Sequence, residues 1–331
     1  AQVYVVNTHT PVLFFSTAGK VYKLKVYKLP LGTPQARGKA LVNLLPLDEG
    51  ETISTVMPLP EDETSWGDLH VVFATSDGHV RRNALSDFVN VKANGKIAMK
   101  LKPGSRLVGV RTCAADEDML LATRGGKCIR FPATDVRVFS GRTSIGVRGI
   151  RLAKDDEVIS LSILRHVEAS TEERDTYIRM ANARRRAETG ENDDNGDAAG
   201  GDTLSEVRFA ELAAAEEFIL CVTENGFGKR TSAHEYRITG RGGQGIANIE
   251  TSDRNGQVVA AFPVADNDQI MLVTDGGQLI RCPVDDIRIA GRKTQGVTLF
   301  RVAEDERVVS VAWLADEGDD GGDPDTGRGR E

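Results

Sequence analysis

The sequence predicts an all-β fold of blades set around an axis, and three observations carry that prediction. A self-similar unit of about 50 residues recurs five times, turn glycines mark each unit, and helix-forming composition is confined to one acidic stretch. Each unit opens on a turn followed by a basic strand: Ala18-Gly19-Lys20-Val21, Asp77-Gly78-His79-Val80, Gly125-Gly126-Lys127-Cys128, Asn225-Gly226-Phe227-Gly228-Lys229 and Asp275-Gly276-Gly277-Gln278-Leu279. A glycine-basic signal follows at Arg37-Gly38-Lys39, Asn94-Gly95-Lys96, Gly141-Arg142, Gly240-Arg241 and Gly291-Arg292. A short apolar strand closes each unit, at 53–56, 107–110, 158–161, 258–261 and 308–311.

The turn glycines 19, 78, 126, 226 and 276 are spaced 59, 48, 100 and 50 apart, so the third interval holds one unit plus an insertion. Asp-Gly and Asn-Gly pairs between β-branched runs, such as Val71-Val72-Phe73-Ala74 before Asp77-Gly78, predict type I′ hairpins. Each unit therefore reads as several short antiparallel strands, and radial repetition leaves only short sheet edges exposed. Helices are expected at Glu172 to Ala187 and Leu204 to Glu217, inside the insertion. The expected organisation is a blade domain over 1–315, interrupted by an acidic insertion at 168–217, and an acidic disordered tail at 316–331.

Composition bounds what such a fold can do. With 331 residues and 40% apolar content the chain can bury a large core, and no stretch approaches the ~18 apolar residues of a membrane-spanning helix. The chain opens mid-pattern at Ala1-Gln2-Val3-Tyr4, without an initiator Met or signal segment, and reads as a piece of a longer chain. Cys113, Cys128, Cys221 and Cys282 have no metal-ligand spacing and read as reduced core thiols of a cytosolic protein. The net charge of −7 hides a segregation. Residues 168–217 hold 14 acidic and 6 basic residues and residues 315–331 hold 7 and 2, which leaves 34 basic and 28 acidic residues in the body. Both acidic segments are poor in large apolar residues, so they are expected to be mobile. The tail, Asp316 to Asp325, is expected to compete with DNA phosphates for the basic body.

Gly240-Arg241-Gly242-Gly243-Gln244-Gly245 matches G-x-G-x-x-G, with Asp266 at the distance a dinucleotide fold wants. The residues that follow, Ile246-Ala247-Asn248-Ile249, are strand-like where that fold needs a helix, and related loops recur in other units, so the match is rejected. The five histidines show no metal pattern and no G-x-S-x-G elbow occurs, so neither an enzyme nor a cofactor is expected of this chain alone. The strongest signal is cationic. Four residues beyond a turn glycine stand Lys23, Arg82, Arg130, Arg230 and Arg281, and the glycine-basic loops add Lys39, Lys96, Arg142, Arg241 and Arg292. On a wheel, equivalent positions form a ring. The expected function is binding of duplex DNA bent around a basic rim, electrostatic and nearly blind to sequence. The competing reading is a protein-binding propeller whose cations guard strand edges. Aromatic residues, at 5%, are too few for single-strand stacking platforms.

Several segments resemble the family of DNA gyrase A C-terminal domains. They are Asn7-Thr8-His9-Thr10, Lys25-Val26-Tyr27-Lys28-Leu29-Pro30, Val42-Asn43-Leu44-Leu45-Pro46-Leu47, Gly146-Val147-Arg148-Gly149-Ile150-Arg151-Leu152, Gly226-Phe227-Gly228-Lys229-Arg230-Thr231 and Gln269-Ile270-Met271-Leu272-Val273-Thr274-Asp275. The resemblance covers residues 1 to about 315 apart from the insertion. It implies a β-pinwheel, a propeller-like disc whose blades exchange a strand and whose rim wraps duplex DNA. The wrap then sets the handedness of the DNA crossing for ATP-dependent negative supercoiling. It further implies a bacterial, cytoplasmic, nucleoid-associated protein. The partners it implies are duplex DNA, the N-terminal part of gyrase A that carries the nucleophilic tyrosine, and gyrase B with the ATPase, in an A2B2 enzyme. The expected DNA-binding residues are Lys20, Lys23, Lys25, Arg37, Lys39, Arg81, Arg82, Lys96, Lys127, Arg130, Arg142, Arg148, Lys229, Arg230, Arg241, Arg281, Arg292 and Lys293. The family has six blades, the first with a Q-R-R-G-G-K-G box, whereas five repeats stand here and Gly240–Gly245 resembles a degenerate box. The equivalent domain of topoisomerase IV shares the blade design, and a WD40 or kelch propeller would show Trp-Asp or glycine-aromatic signatures that are missing around Trp66 and Trp313.

Overall fold

The computed structural model describes residues 4–33, 36–60, 62–189 and 203–314. The centre of the insertion and the acidic tail, with the competition expected of that tail, lie outside the described residues. The first unit forms β1 (Pro11–Ser16), β2 (Lys20–Lys25) and β3 (Ile53–Pro58), and the second β4 (His70–Thr75), β5 (His79–Ala84), β6 (Lys96–Ile97) and β7 (Leu107–Cys113). The third forms β8 (Glu117–Thr123), β9 (Lys127–Pro132), β10 (Val147–Arg148) and β11 (Val158–Arg165), and the insertion supplies α1 (Thr171–Thr189) and α2 (Glu206–Ala214). The fourth forms β12 (Phe218–Thr223), β13 (Phe227–Ser232), β14 (Ile246–Ala247) and β15 (Val258–Val264). The fifth forms β16 (Gln269–Thr274), β17 (Leu279–Pro283), β18 (Val297–Thr298) and β19 (Val308–Leu314).

These strands make five sheets, ordered β3-β1-β2-β6, β7-β4-β5-β10, β11-β8-β9-β14, β15-β12-β13-β18 and β19-β16-β17. The outermost strand of each of the first four sheets comes from the following unit: Lys20 pairs with Ile97, Val80 with Val147, Cys128 with Ile246 and Gly228 with Val297. At the opposite edge, β3, β7, β11, β15 and β19 pack against one another in that order. The architecture is the blade design that the repeats predict, with the strand exchange that the resemblance implies.

The middle strands explain the apolar runs. Successive side chains of a strand point to opposite faces, and here both faces are covered by a neighbouring sheet. Val71 and Phe73 join the core between the first and second sheets, while Val72 and Ala74 join the core between the second and third. Met119 and Leu121 face back, and Leu120 and Ala122 face forward. Ile219 and Cys221 against Leu220 and Val222 repeat the pattern. None of the six apolar clusters of described residues joins the fifth sheet to the first.

The hairpins differ from the type I′ expectation. The N–H of Gly19, Gly78, Gly126, Gly226 and Gly277 donates to the carbonyl of Ser16, Thr75, Thr123, Thr223 and Thr274 respectively. Each glycine has positive φ, and Asp155 is the one described non-glycine residue that does, so Asp77 and Asn225 do not take the left-handed geometry type I′ requires at both centres. Three-residue loops ending on a left-handed glycine fit the spacing instead. The insertion also departs from expectation in its described part. Tyr177 and Ala181 of α1 pack against Phe209 and Leu212 of α2, and Tyr177 stands edge-on to buried His234 at a centroid distance of 4.9 Å. The helices expected there are present, and they are docked on the fourth unit because their few apolar residues are gathered on facing sides.

The loop before each exchanged strand ends on a glycine whose backbone nothing else can replace. Gly245 has φ +74°, and a Cβ there would overlap the carbonyl oxygen of Cys128. Gly245→Ala is expected to lower stability by more than the about 1–3 kcal/mol of a strained left-handed residue, because β14 must also move off β9. Gly240→Ala, with nothing within 4 Å of its Cβ position, is expected to leave the thermal midpoint nearly unchanged. Equal midpoints for the two variants would refute this.

Candidate nucleic-acid interface

Four of the five cations expected from the turn spacing lie between the sheets, and Arg281 alone of the five is exposed. Lys23, Arg82, Arg130, Arg230 and Arg281 stand on the second strand of each hairpin, and in the first four sheets that strand is flanked by a neighbour on both sides. Arg82, Arg130 and Arg230 are at least 94% buried. Arg130 shows what the position does: Nε donates to Asp118 Oδ2 at 2.8 Å, Nη1 to the carbonyl of Ala233 at 2.9 Å and Nη2 to that of Arg165 at 2.7 Å. Asp118 is fully buried and also meets His166 Nδ1 at 2.8 Å. Arg230 pairs with Asp266 and donates to the carbonyls of Ile287 and Asp285, and Lys23 pairs with Glu63 and donates to the carbonyl of Val89. Each of these three cations thus reaches the turn of the following unit. They are corrected from DNA ligands to ties between units, because a charged group leaves water only where carboxylates and carbonyls replace it. Arg82 is buried at the same register position and so lies away from the surface that a phosphate would meet, while Arg281 is exposed and contacts Gln269 of its own sheet.

Arg81 and Lys229, also expected on the surface, are fully buried one residue earlier on the same strands. Burial pulls the Arg81 guanidinium down to about 10 and the Lys229 ammonium down to about 8. Both lie beneath the loop that precedes an exchanged strand, and both are corrected to internal cations.

Among the remaining cations, Arg148 stands on an exchanged strand, Arg142, Arg241, Arg292 and Lys293 on the loops that precede such strands, and Lys127 on β9 opposite Ala247 of β14. Arg37 and Lys39 lie between β2 and β3 of the first unit. Arg37, Lys39, Lys127, Arg148, Arg241 and Lys293 are exposed. Arg142, Arg241 and Arg292 occupy the same place, four residues before Gly146, Gly245 and Gly296. Their Nη1 atoms donate to the carbonyls of Ile97 at 3.5 Å, Arg148 at 3.1 Å and Ala247 at 2.7 Å, which are the equivalent residues of the preceding exchanged strands. The edge is thereby tied from loop to strand. Lys96 is half-buried and donates to the carbonyls of Asp87 and Asn90, Lys20 pairs with Asp48 at 2.5 Å, and Lys25 is half-buried on β2. Exposed Arg137, Arg237 and Arg288 escape a ring drawn four residues beyond each turn glycine. They stand eleven residues beyond Gly126, Gly226 and Gly277, a recurrence that holds in the last three units. Each precedes a residue bridged in parallel to the hairpin strand, Val138 to Arg82, Ile238 to Arg130 and Ile289 to Arg230, so all three lie on the outer edge.

This edge suits an extended polyanion and offers little to a small substrate. Among the described residues no group of three or more His, Cys, Asp and Glu could hold a metal ion. Burial pushes the thiols of Cys113 and Cys221 up to about 11 and that of Cys128 higher still, far from the thiolate a nucleophile needs. The G-x-G-x-x-G glycines lead into β14, a strand, where a dinucleotide fold needs a helix. No helix of the described residues is long and apolar enough to cross a membrane.

A family model described as DNA gyrase C-terminal domain, beta-propeller, matches residues 10–60, 69–114, 117–165, 217–265 and 268–312, one segment per unit. DNA gyrase A of Granulibacter bethesdensis is 57% identical over 318 residues, which are 92% of this chain and 34% of that protein. DNA gyrase A of Rickettsia bellii is 49% identical over 96% of this chain and 35% of its own length, and that of Escherichia coli 38% over 95% and 30%. The chain spans about a third of the length of these relatives. A solved DNA gyrase A C-terminal domain shares the fold with a TM-score of 0.66 at 21% identity, covering 94% of this chain and 84% of that one. A solved C-terminal domain of DNA topoisomerase IV does so with a TM-score of 0.70 at 20% identity, covering 93% and 80%.

Proposed function

Because the chain belongs to the DNA gyrase C-terminal domain family, we propose that it binds duplex DNA along its outer edge and wraps it. The observation that carries this reading is the run of exposed cations on the exchanged strands and their loops, Arg148, Arg241 and Lys293, repeated from sheet to sheet, with Arg37 and Lys39 exposed on the first unit. Phosphates spaced regularly along a duplex meet charges spaced regularly along the edge, and the contact needs no base readout. In the whole gyrase A protein, wrapping would set the handedness of the DNA crossing used for ATP-dependent negative supercoiling. The partners in that role are the N-terminal part of gyrase A together with gyrase B, in a bacterial cytoplasm. Backbone similarity is as great to the topoisomerase IV domain, and the sequence relatives favour gyrase.

The test is the affinity of this chain for a mixed-sequence duplex across a salt series. The logarithm of the affinity is expected to fall linearly with the logarithm of salt, with a slope near −0.9 for each phosphate neutralised. No binding at the lowest salt, or a flat profile, overturns the proposal.

A further inference from the structure

Lys229 stands on β13 opposite Cys221, fully buried, with its ammonium beneath the loop that carries Arg292 and Lys293. Nζ donates to the carbonyl oxygens of Gly291 at 2.5 Å, Arg292 at 2.8 Å and Thr294 at 3.3 Å, and approaches Thr294 Oγ1 at 3.3 Å. Three donors are thus shared by four oxygens of one short loop. The same register position holds Arg81 in the second sheet, whose Nη1 donates to the carbonyl of Ser144 at 3.0 Å. Ser144 precedes Gly146 by two residues, as Thr294 precedes Gly296.

The position does not need a charge to build a loop. In the first and third sheets it is Tyr22 and Ile129, and the Tyr22 ring lies against Gly95 of the corresponding loop. An apolar or aromatic floor suffices there, and burying an ammonium is costly unless every donor is met. What the ammonium adds is the direction of the carbonyls. With three of them bound to the ammonium, the lone pairs of Gly291, Arg292 and Thr294 are engaged inside the loop on which the Lys293 side chain is exposed.

We propose that Lys229 is a positioning residue for DNA, holding the carbonyls of Gly291, Arg292 and Thr294 away from the phosphate that Lys293 engages. This rests on the reading of the chain as a duplex-binding domain. Arg81 acts likewise on the loop that carries Arg142.

The experiment measures duplex affinity of the full chain at fixed salt for Lys229→Met, Lys293→Ala, the double variant, and Lys229→Met with Arg148→Ala. Lys229→Met is expected to weaken binding several-fold, no further when Lys293 is already Ala, and by its full factor when Arg148 is Ala. Wild-type affinity in Lys229→Met, or full additivity with Lys293→Ala, overturns the inference. A measurement needing no core substitution runs beside it. The groups facing the Lys229 ammonium are Cys128, Cys221, Tyr236, Glu235 and Arg292, and burial holds the two thiols and the phenol protonated below about 11. Raising the pH from 7 to 9 therefore removes the Lys229 proton among these groups, and affinity is expected to fall through about pH 8, less so in Lys293→Ala. A flat profile from pH 7 to 9 overturns the inference. Absence of binding by the unaltered chain at pH 7 overturns the duplex-binding reading itself.

Discussion

Replacing Asp118 with Ala is expected to lower the unfolding free energy by about 3–5 kcal/mol, read from the urea midpoint. The carboxylate has no exposed surface and accepts from Arg130 on one oxygen while His166 meets the other. Its removal leaves a guanidinium between the third and fourth sheets with two carbonyls and no counter-charge, and an uncompensated buried charge costs far more than the pair contributes. Converting Arg130 to Met in the same chain should restore a large part of the loss, since an apolar side chain of similar length fits between sheets that are apolar elsewhere. Arg281→Ala, at the same register position on the exposed β17, should stay within about 0.5 kcal/mol of the wild type. An Asp118→Ala chain as stable as Arg281→Ala would show that these cations do not tie the units together.

The second large effect concerns DNA. Changing Arg37, Lys39, Lys127, Arg148 and Lys293 to Ala together is expected to reduce the salt slope by about 4 and the affinity at 0.1 M salt at least about a hundredfold. The unfolding midpoint should hardly move, because none of the five side chains is buried. The corresponding change of Lys23, Arg82, Arg130 and Arg230 is expected to cost the fold before any DNA is added. An unchanged salt slope in the exposed-edge variant, with the fold intact, would place the duplex on another surface.

The contrast between these two sets marks where the sequence stops being readable. The unit, the positions of its turns though not their type, the closing strands at 53–56 and 308–311, and the helices of the insertion follow from local periodicity and are found where expected. Burial of the cations does not follow from local pattern. A strand with water on one face alternates, and the charges of Val80-Arg81-Arg82-Asn83 suggest such a face. In stacked sheets the hairpin strand has a neighbour on each side, so Arg81 and Arg82 are both internal although they point in opposite directions. The partners that make this possible, such as Asp118 and the carbonyl of Ala233, lie in other strands and units. The exchanged strands are equally hidden, since two residues such as Lys96–Ile97 are too short to carry a period. Arg137, Arg237 and Arg288 are within reach of the sequence, by following a second offset from the same glycines.

Strand exchange gives the protein a schedule of assembly at the ribosome. The sheet begun by Lys20 is completed only when Ile97 has been translated, and that begun by Val80 waits for Val147. The third sheet waits longest, because the whole insertion is made between Cys128 and its partner Ile246. During that interval the outer edge of β9 is open on the nascent chain, as a template that any passing strand could extend. A chaperone that engages this domain during synthesis therefore has its longest opportunity at the third sheet.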